Sequence, residues 1–241
     1  IMPSLVGSEM CIRDSFKELS SEILPLHKSK YFHIGGDECW LLGTCPKCRL
    51  RAKKIGKLGL YLEYINKVCK YLKSQGKIPI IWDDMISRSE QPWLIKNLDS
   101  DIVIMYWDYW ATEDTSPFLV WQGIRYSKKW FEKIYQKDST KVKTPMILSD
   151  RGSIEEIPRE ILRFYKKYWN SKQYPLYLNS LPYLRFFQDN GHQVIGASEM
   201  RGGKDLSVAP GLLDFTEKRR MLNIREWARQ ISKYKALGMI T

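Results

Sequence analysis

The residues best suited to chemistry lie at the end of a short apolar run. Residues 31–40 read YFHIGGDECW, so Asp37 and Glu38 follow directly on Gly35 and Gly36. An apolar run that stops at Gly-Gly is typical of a buried strand that leads into a tight turn. Two carboxylates at a strand end can take different roles on one substrate, because their surroundings can set different protonation states. For a bare Asp-Glu pair, an acidic cap that leads into the next helix is the favoured interpretation, but the whole motif is far rarer than the pair.

Four more apolar segments predict strands. None of them alternates with polar residues; they cover residues 78–85, 101–108, 192–201 and 238–241. Helical patterns lie between them. One has apolar residues at Leu58, Tyr61, Ile65, Val68 and Leu72 and ends at Gly76, and a short helix starts at Pro92. A third has apolar residues at Met221, Ile224, Ala228 and Ile231. Strands without alternation that are separated by helices are typical of a parallel sheet covered on both faces.

Polar and aromatic residues follow strand after strand. They are Asp37 and Glu38, Trp82 to Asp84, Tyr106 to Asp108, and Ser198 with Glu199. A (β/α)8 barrel builds its active site at this end of its strands, whereas a doubly wound sheet binds ligands only at a switch point. The spread over several strands therefore predicts an α/β fold of the (β/α)8 barrel (TIM-barrel) type.

The barrel is expected to be incomplete, because the chain offers five strands instead of eight. Residues 111–180 look like an insertion, with an extended piece at 145–148 and a helix from Ile157 to Trp169 after a Ser153/Glu156 capping box. Residues 1–15 resemble a translated adapter and are expected to be non-native and poorly packed. The predicted domain organisation is thus a partial barrel over residues 16–241.

Composition and charge exclude some partners. With 241 residues and 44% hydrophobic content, the chain can bury one substantial core. A net charge of +12 is compatible with nucleic-acid binding, but the basic residues are scattered over helix faces, which predicts solvated surfaces. No apolar run approaches the ~20 residues that cross a bilayer. We expect neither a nucleic-acid nor a membrane partner.

The cysteines raise the question of a metal. Cys45 and Cys48 have the spacing of half a structural zinc site, and Cys39 or Cys69 could add a ligand. No second paired motif exists, so free thiols near a helix start are favoured over zinc or a disulfide, and no cofactor is expected. Unpaired cysteines favour a reducing compartment such as the cytoplasm, and the localisation stays open.

The segment His33-Ile34-Gly35-Gly36-Asp37-Glu38 resembles the catalytic signature of glycoside hydrolase family 20, the β-N-acetylhexosaminidases. Residues 82–85 (WDDM) and 194–198 (VIGAS) are similar to its hexosaminidase D-like branch. The resemblance covers residues 31–111 and 181–241. In that family the turn follows the fourth barrel strand, which implies that the chain holds about strands four to eight.

The resemblance implies a role for each acid. Glu38 would be the general acid, and Asp37 would hold the 2-acetamido group of the substrate, whose carbonyl oxygen is the nucleophile. Further substrate-binding candidates are Trp82, Trp107, Tyr106, Asp83, Asp84, Glu199 and His33. Each has an alternative: the tryptophans could cap the core, Asp83, Asp84 and Tyr106 could support other residues, Glu199 could form a surface ion pair, and His33 could orient the carboxylates.

The implied function is that of an exo-β-N-acetylhexosaminidase. It would hydrolyse terminal N-acetylglucosamine or N-acetylgalactosamine of a glycan or glycoconjugate, with retention and without a cofactor. We expect the 241-residue chain to be inactive alone, since three strands are missing. The alternatives are a glycosidase of another barrel family, a non-catalytic carbohydrate-binding barrel, and a zinc-stabilised interaction domain. Linkage preference and oligomeric state are left open.

Overall fold

The structure is a computed structural model, and the chain forms two compact units. The first comprises Ile1–Met105 with Asp189–Val194, and the second comprises Tyr106–Gln188 with Ile195–Thr241. The structure describes residues 9–89, 91–109, 111, 119–121, 124–126, 142–143, 156–157, 167–168, 180–198 and 217–241.

The first unit packs helices on parallel strands. Its helices are α1 (Glu9–Ile23), α2 (Pro46–Ser74) and α3 (Asp84–Ser87), with a 3-10 helix at Pro92–Asn97. Its strands begin with β1 (Tyr31–His33) and β2 (Ile78–Trp82), and β3 (Val103–Trp107) starts here. In the parallel register Tyr31 pairs with Ile78, and Trp82 pairs with Met105. The carboxyl ends of β1 and β2 therefore lie side by side.

Helix α2 covers this part of the sheet with the face that its sequence predicts. Leu58, Tyr61, Ile65, Val68 and Leu72 are all buried, which confirms the predicted apolar stripe. The helix is interrupted at Gly56, which has φ +78°, and it ends before Gly76, where φ is +73°. The apolar stripe places Tyr61 and Ile65 beneath the turn that follows β1.

The second unit contains the remaining elements. Helices α4 (Pro182–Asp189) and α5 (Glu217–Tyr234) accompany the parallel strands β8 (Val194–Ala197) and β9 (Gly238–Ile240). Two antiparallel pairs precede them, namely β4 (Leu119–Trp121) with β5 (Ile124–Tyr126) and β6 (Val142–Lys143) with β7 (Glu156–Ile157). The ring of Trp227 on α5 is fully buried and packs edge-on against Tyr106.

The parallel strands have the order β1-β2-β3-β8-β9. Beside β3, the backbone N–H of Ile104 donates to the carbonyl of Gln193 at 2.9 Å. Five parallel strands connected through helices form an incomplete (β/α)8 barrel, as the unalternating apolar segments predict. No helix in the described part of the chain is both long enough and apolar enough to span a bilayer.

One sequence expectation is wrong in part, and two others stay predictions. The helix predicted from Ile157 does not begin there, because Glu156 and Ile157 pair as a strand with residues 142–143. Pro158 follows directly and disfavours the helical conformation of Ile157. The extended piece predicted at 145–148 lies outside the described residues. Residues 9–15 belong to α1, and the non-native origin of residues 1–15 stays a prediction.

Stability should depend on the buried His192 and the half-buried His33. His192 is only 3% exposed, and its Nδ1 lies 3.0 Å from the carbonyl oxygen of Ile102. Burial lowers the pKa of His192 from its ordinary 6.5, against opposing effects of Ile102 and Asp99. Burial likewise lowers the pKa of His33. Both rings are therefore favoured as neutral groups in the folded state. The contribution of each ring to the free energy of unfolding is complete above pH 6.5 and is lost as the pH falls through the lowered pKa.

We expect the free energy of unfolding, measured with urea between pH 8 and pH 5, to fall below about pH 6.5, by about 1.4 kcal/mol per unit of pKa lowering. In His192→Gln the side-chain amide can still donate to the carbonyl of Ile102, but it does not titrate. The free energy of unfolding of this variant should therefore change less steeply with pH. An unchanged slope in this variant would contradict the assignment.

Candidate active site

The turn after β1 is built by backbone bonds to β2. Ile34 N–H donates to the carbonyl of Ile80 at 3.0 Å, and Trp82 N–H donates to the carbonyl of Gly35 at 3.1 Å. The chain then leaves the sheet through Gly35 and Gly36, which have φ values of +74° and +87°. Asp37 and Glu38 follow as exposed residues. The turn thus presents two adjacent carboxylates at the carboxyl end of a parallel strand.

His33 is half-buried beneath this turn. Its Nδ1 accepts the N–H of Gly35 at 3.0 Å, and its ring centroid lies 4.7 Å from that of Trp82. Burial lowers its pKa, and the charge of Asp37 acts in the opposite direction. In the neutral ring that accepts at Nδ1, the proton is on Nε2, which has no hydrogen-bond partner among the described residues. These contacts are those of a side chain that shapes the turn.

Glu38 has an unusual backbone conformation. Its φ is +49°, in the left-handed region that residues other than glycine seldom occupy. Its N–H donates to Oδ2 of Asp84 at 2.8 Å. Its carboxylate lies 3.9 Å from the guanidinium of Arg88, and that guanidinium lies 5.9 Å from the ring centroid of Trp40. Asp84 and Arg88, which both follow β2 in the sequence, therefore lie close to Glu38.

The acids after β2 are not surface groups. Asp83 and Asp84 are each 1% exposed, whereas Trp82 is half-buried. Asp83 N–H donates to the carbonyl of Met105 at 3.1 Å, and Asp84 begins α3. Burial raises the pKa of Asp84, the N–H of Glu38 and the charge of Arg88 lower it, and Asp37 raises it further. This burial disfavours direct contact of either carboxyl group with a sugar hydroxyl, and the bond from Glu38 makes Asp84 a support of the turn.

Three predicted site residues, Tyr106, Trp107 and Glu199, belong to the second unit. Tyr106 is 4% exposed, and its ring packs edge-on against Tyr183, Phe187 and Trp227. Trp107 ends β3 and lies 5.0 Å from the ring centroid of Tyr109. Glu199 lies outside the described residues. The substrate-binding roles of these three residues stay predictions.

The loop after β3 is anchored within the second unit. The side-chain amide of Asn223 donates to the carbonyls of Asp108 and Ala111 at 2.9 and 2.7 Å. The indole N–H of Trp227 also donates to the carbonyl of Asp108, at 2.9 Å. Both donors lie on α5, so this helix fixes the backbone that follows Trp107.

The Cys45 and Cys48 pair starts a helix. Cys45 is the N-cap of α2, and its sulfur accepts the N–H of Cys48 at 3.2 Å. Hydrogen bonding with Cys48 lowers the pKa of the Cys45 thiol, whereas burial raises the pKa of Cys39 to about 11 and that of Cys69 to about 12. Within the described ranges, no group of three or more His, Cys, Asp or Glu residues could hold a metal ion.

Gly36 leaves no space for a side chain. A Cβ placed on it would lie 2.8 Å from Oη of Tyr61 and 3.5 Å from Ile65. We expect Gly36→Ala to lower the free energy of unfolding by about 1–2 kcal/mol through its positive φ and by about 1–3 kcal/mol more through this contact. Chemical denaturation measures both effects.

Gly76→Ala is the matched control, because Gly76 has a φ of +73° and no atom within 4 Å of a Cβ. Removing the hydroxyl with Tyr61→Phe should recover part of the loss in the Gly36→Ala background, since the next ring atom is 3.7 Å away. Equal losses at Gly36 and Gly76 would show that the Tyr61 contact is unimportant.

The arrangement suits acid-base chemistry on a bound substrate. Asp37 and Glu38 are exposed neighbours, so they cannot flank a bond from opposite sides as an acid and a protein nucleophile do. Arg88 and Trp40 lie near Glu38 although neither was predicted from the sequence as a site residue. Trp40 is 57% exposed. Its position two residues after Glu38 could have been noticed in the sequence. Arg88 is 50 residues away in the sequence, so no local pattern predicts that it approaches Glu38.

Part of the chain is similar to known proteins. Residues 8–126 match the family model described as glycosyl hydrolase family 20, catalytic domain. Lacto-N-biosidase of Bifidobacterium bifidum is 33% identical over 101 residues, which are 38% of this chain and 9% of that protein. Beta-hexosaminidase of Porphyromonas gingivalis is 33% identical over 82 residues, which are 31% of this chain and 10% of that protein.

A solved structure is also similar to part of the chain. It is the β-N-acetylhexosaminidase from Bacteroides fragilis, with 29% identity and a TM-score of 0.32 over 39% of this chain and 19% of that chain. The chain thus spans about a tenth of the length of the curated relatives that it matches.

Proposed function

We propose that this chain, whose residues 8–126 match the catalytic-domain model of glycosyl hydrolase family 20, forms part of the catalytic domain of a retaining exo-β-N-acetylhexosaminidase. The observation that carries the proposal is the pair of exposed, adjacent carboxylates on a Gly-Gly turn at the carboxyl end of a parallel strand. The substrate would be a glycan or glycoconjugate that ends in N-acetylglucosamine or N-acetylgalactosamine.

In the first step the substrate supplies the nucleophile. The carbonyl oxygen of its 2-acetamido group attacks the anomeric carbon, and the bond from that carbon to the leaving oxygen breaks. Glu38 gives its proton to the leaving oxygen, as a general acid does. The Asp37 carboxylate accepts the N–H of the acetamido group and stabilises the positive charge of the resulting oxazolinium ion.

In the second step water completes the reaction. The Glu38 carboxylate takes a proton from the water, whose oxygen attacks the anomeric carbon and reopens the oxazolinium ring. The acetamido group is regenerated, and Glu38 is again a neutral acid. Two inversions at the anomeric carbon give overall retention. The adjacency of Asp37 and Glu38 supports this scheme, because substrate assistance removes the need for a second carboxylate on the opposite face of the sugar.

The predicted binding residues divide by burial. Trp82 is half-buried at the end of β2 and retains surface for a sugar ring or the acetamido methyl group. Asp83 and Asp84 are buried against backbone donors and acceptors, and they would support the turn. His33 would orient the same turn through Gly35. Trp107, Tyr106 and Glu199 remain proposed contributors to substrate binding.

The test compares two chromogenic substrates on the full-length protein. A nitrophenyl β-N-acetylglucosaminide should be hydrolysed, and the corresponding β-glucoside, which has a hydroxyl in place of the acetamido group, should not. A thiazoline mimic of the oxazolinium ion should inhibit competitively. Equal hydrolysis of both substrates would indicate a glycosidase of another mechanism, and sugar binding without hydrolysis would indicate a non-catalytic barrel.

A further inference from the structure

We infer that Asp84 is a positioning residue for Glu38: its buried carboxylate holds the backbone of the proposed general acid in the left-handed conformation. This inference rests on the proposed function, because it concerns how the acid of that reaction is held. Asp84 lies 46 residues further along the chain, and the two residues meet through the Glu38 N–H and Asp84 Oδ2, 2.8 Å apart.

The conformation of Glu38 requires an explanation. The described residues contain two non-glycine residues with positive φ, Glu38 at +49° and Lys235 at +52°. Lys235 directly follows the last residue of α5, where a left-handed residue commonly ends a helix. Glu38 ends no helix. A left-handed residue in such a position persists where its surroundings impose that conformation, and such residues cluster at functional sites.

The contact with Asp84 can impose this conformation, because both partners are held in place. The turn is tied to β2 through Gly35 and Trp82. Asp83 is tied to Met105, and the carbonyl of Asp84 accepts the N–H of Arg88 at 2.9 Å within α3. The carboxylate of Asp84 is therefore a fixed acceptor, and it fixes the direction of the Glu38 N–H.

Folding alone would not favour a carboxylate here. Asp84 is 1% exposed, and its Oδ1 has no hydrogen-bond partner among the described residues. A buried carboxylate with one oxygen unpaired is costly. Its charged neighbours are Arg88, which favours the ionised form, and Asp37, which opposes it. A costly group whose carboxylate accepts the backbone N–H of the acid beside Asp37 is better explained by the site than by the core.

Helix α3 contacts Glu38 at a second point. Arg88 caps the end of α3, and its Nη1 lies 3.9 Å from Oε1 of Glu38. Asp84 at the first position of α3 thus holds the main chain, while Arg88 approaches the side chain. If Asp84 is lost, Glu38 can relax to negative φ, and its carboxyl group moves away from the leaving oxygen.

The test uses Asp84→Asn and Asp84→Ala in the full-length protein. The asparagine can still accept the N–H of Glu38 through a neutral oxygen, and alanine cannot. On an aryl N-acetylglucosaminide with a poor leaving group, we expect kcat to fall about 100-fold in the alanine variant and less in the asparagine variant. KM should stay within about twofold, because the misplacement affects the acid and not ground-state binding.

The loss should shrink with a more acidic phenol as the leaving group, since such a group departs with less help from an acid. Asp99→Asn is the matched control, because Asp99 pairs with Lys73 before β3 begins, at the opposite ends of the strands from Glu38. This variant should keep wild-type kinetics with both substrates. Losses of equal size with good and poor leaving groups in the Asp84 variants would overturn the inference.

Amide hydrogen exchange at Glu38 gives a readout without turnover. The Glu38 amide should be protected in the wild type, less protected in Asp84→Asn and unprotected in Asp84→Ala. Unchanged protection in the alanine variant would also overturn the inference. A wild-type protein that hydrolyses no N-acetylhexosaminide would instead contradict the proposed function, so the two failures are distinguishable.

Discussion

Glu38→Gln is expected to lower kcat by about 10²–10⁴-fold toward an N-acetylhexosaminide with a poor leaving group. Glutamine retains the size of the side chain and leaves the backbone N–H free to donate to Asp84. It has no proton to give to the leaving oxygen, and it cannot take one from water in the second step. The expected loss is therefore a loss of proton transfer and not of folding.

The leaving group separates this loss from a general defect. A dinitrophenolate departs without protonation, so the first step in Glu38→Gln should approach the wild-type rate with the dinitrophenyl glycoside. Burst kinetics with that substrate would then show a slow second step. Glu63→Gln is a suitable control, because Glu63 pairs with Arg51 on α2 and should leave both steps unchanged. Near-normal turnover of a poor substrate by Glu38→Gln would rule out Glu38 as the acid.

The sequence contained enough information to predict the fold of the parallel strands. Apolar runs such as those leading to Trp82 and Trp107 lack polar alternation, because strands covered on both faces have no solvated side. The stripe on α2 was equally clear, since helical spacing is a local property. The turn was predictable for the same reason, because Gly35, Gly36 and the two acids are contiguous.

The support of the turn could not be predicted in the same way. Nothing local distinguishes Asp83, which donates its backbone N–H to Met105, from Asp84, which receives the N–H of Glu38. That difference depends on the register of β1, β2 and β3, which fixes where each strand end lies. Similarly, no local feature of the sequence indicates that His192 is buried, yet the packing beside β3 buries it and places its ring against Ile102.

Asp37→Asn is expected to lower kcat by about 10²–10³-fold, the usual effect of removing one electrostatic contact from a developing charge. Asparagine can still accept the acetamido N–H through its oxygen. It lacks the negative charge that stabilises the oxazolinium ion, so the cyclisation itself becomes slower. Kinetics with good and poor leaving groups should show losses of similar size, unlike those of Glu38→Gln.

The pair of variants therefore assigns the roles more firmly than either variant alone. Asp37 and Glu38 are adjacent and both exposed, so loss of activity by itself would not tell an acid from an electrostatic stabiliser. A leaving-group-dependent loss in Glu38→Gln and a uniform loss in Asp37→Asn would agree with the proposed division. The reverse pattern would make Asp37 the acid. In that case the hydrogen bond from Glu38 to Asp84 would act on the acid indirectly. By fixing the backbone of Glu38, it would hold the adjacent Asp37 in place.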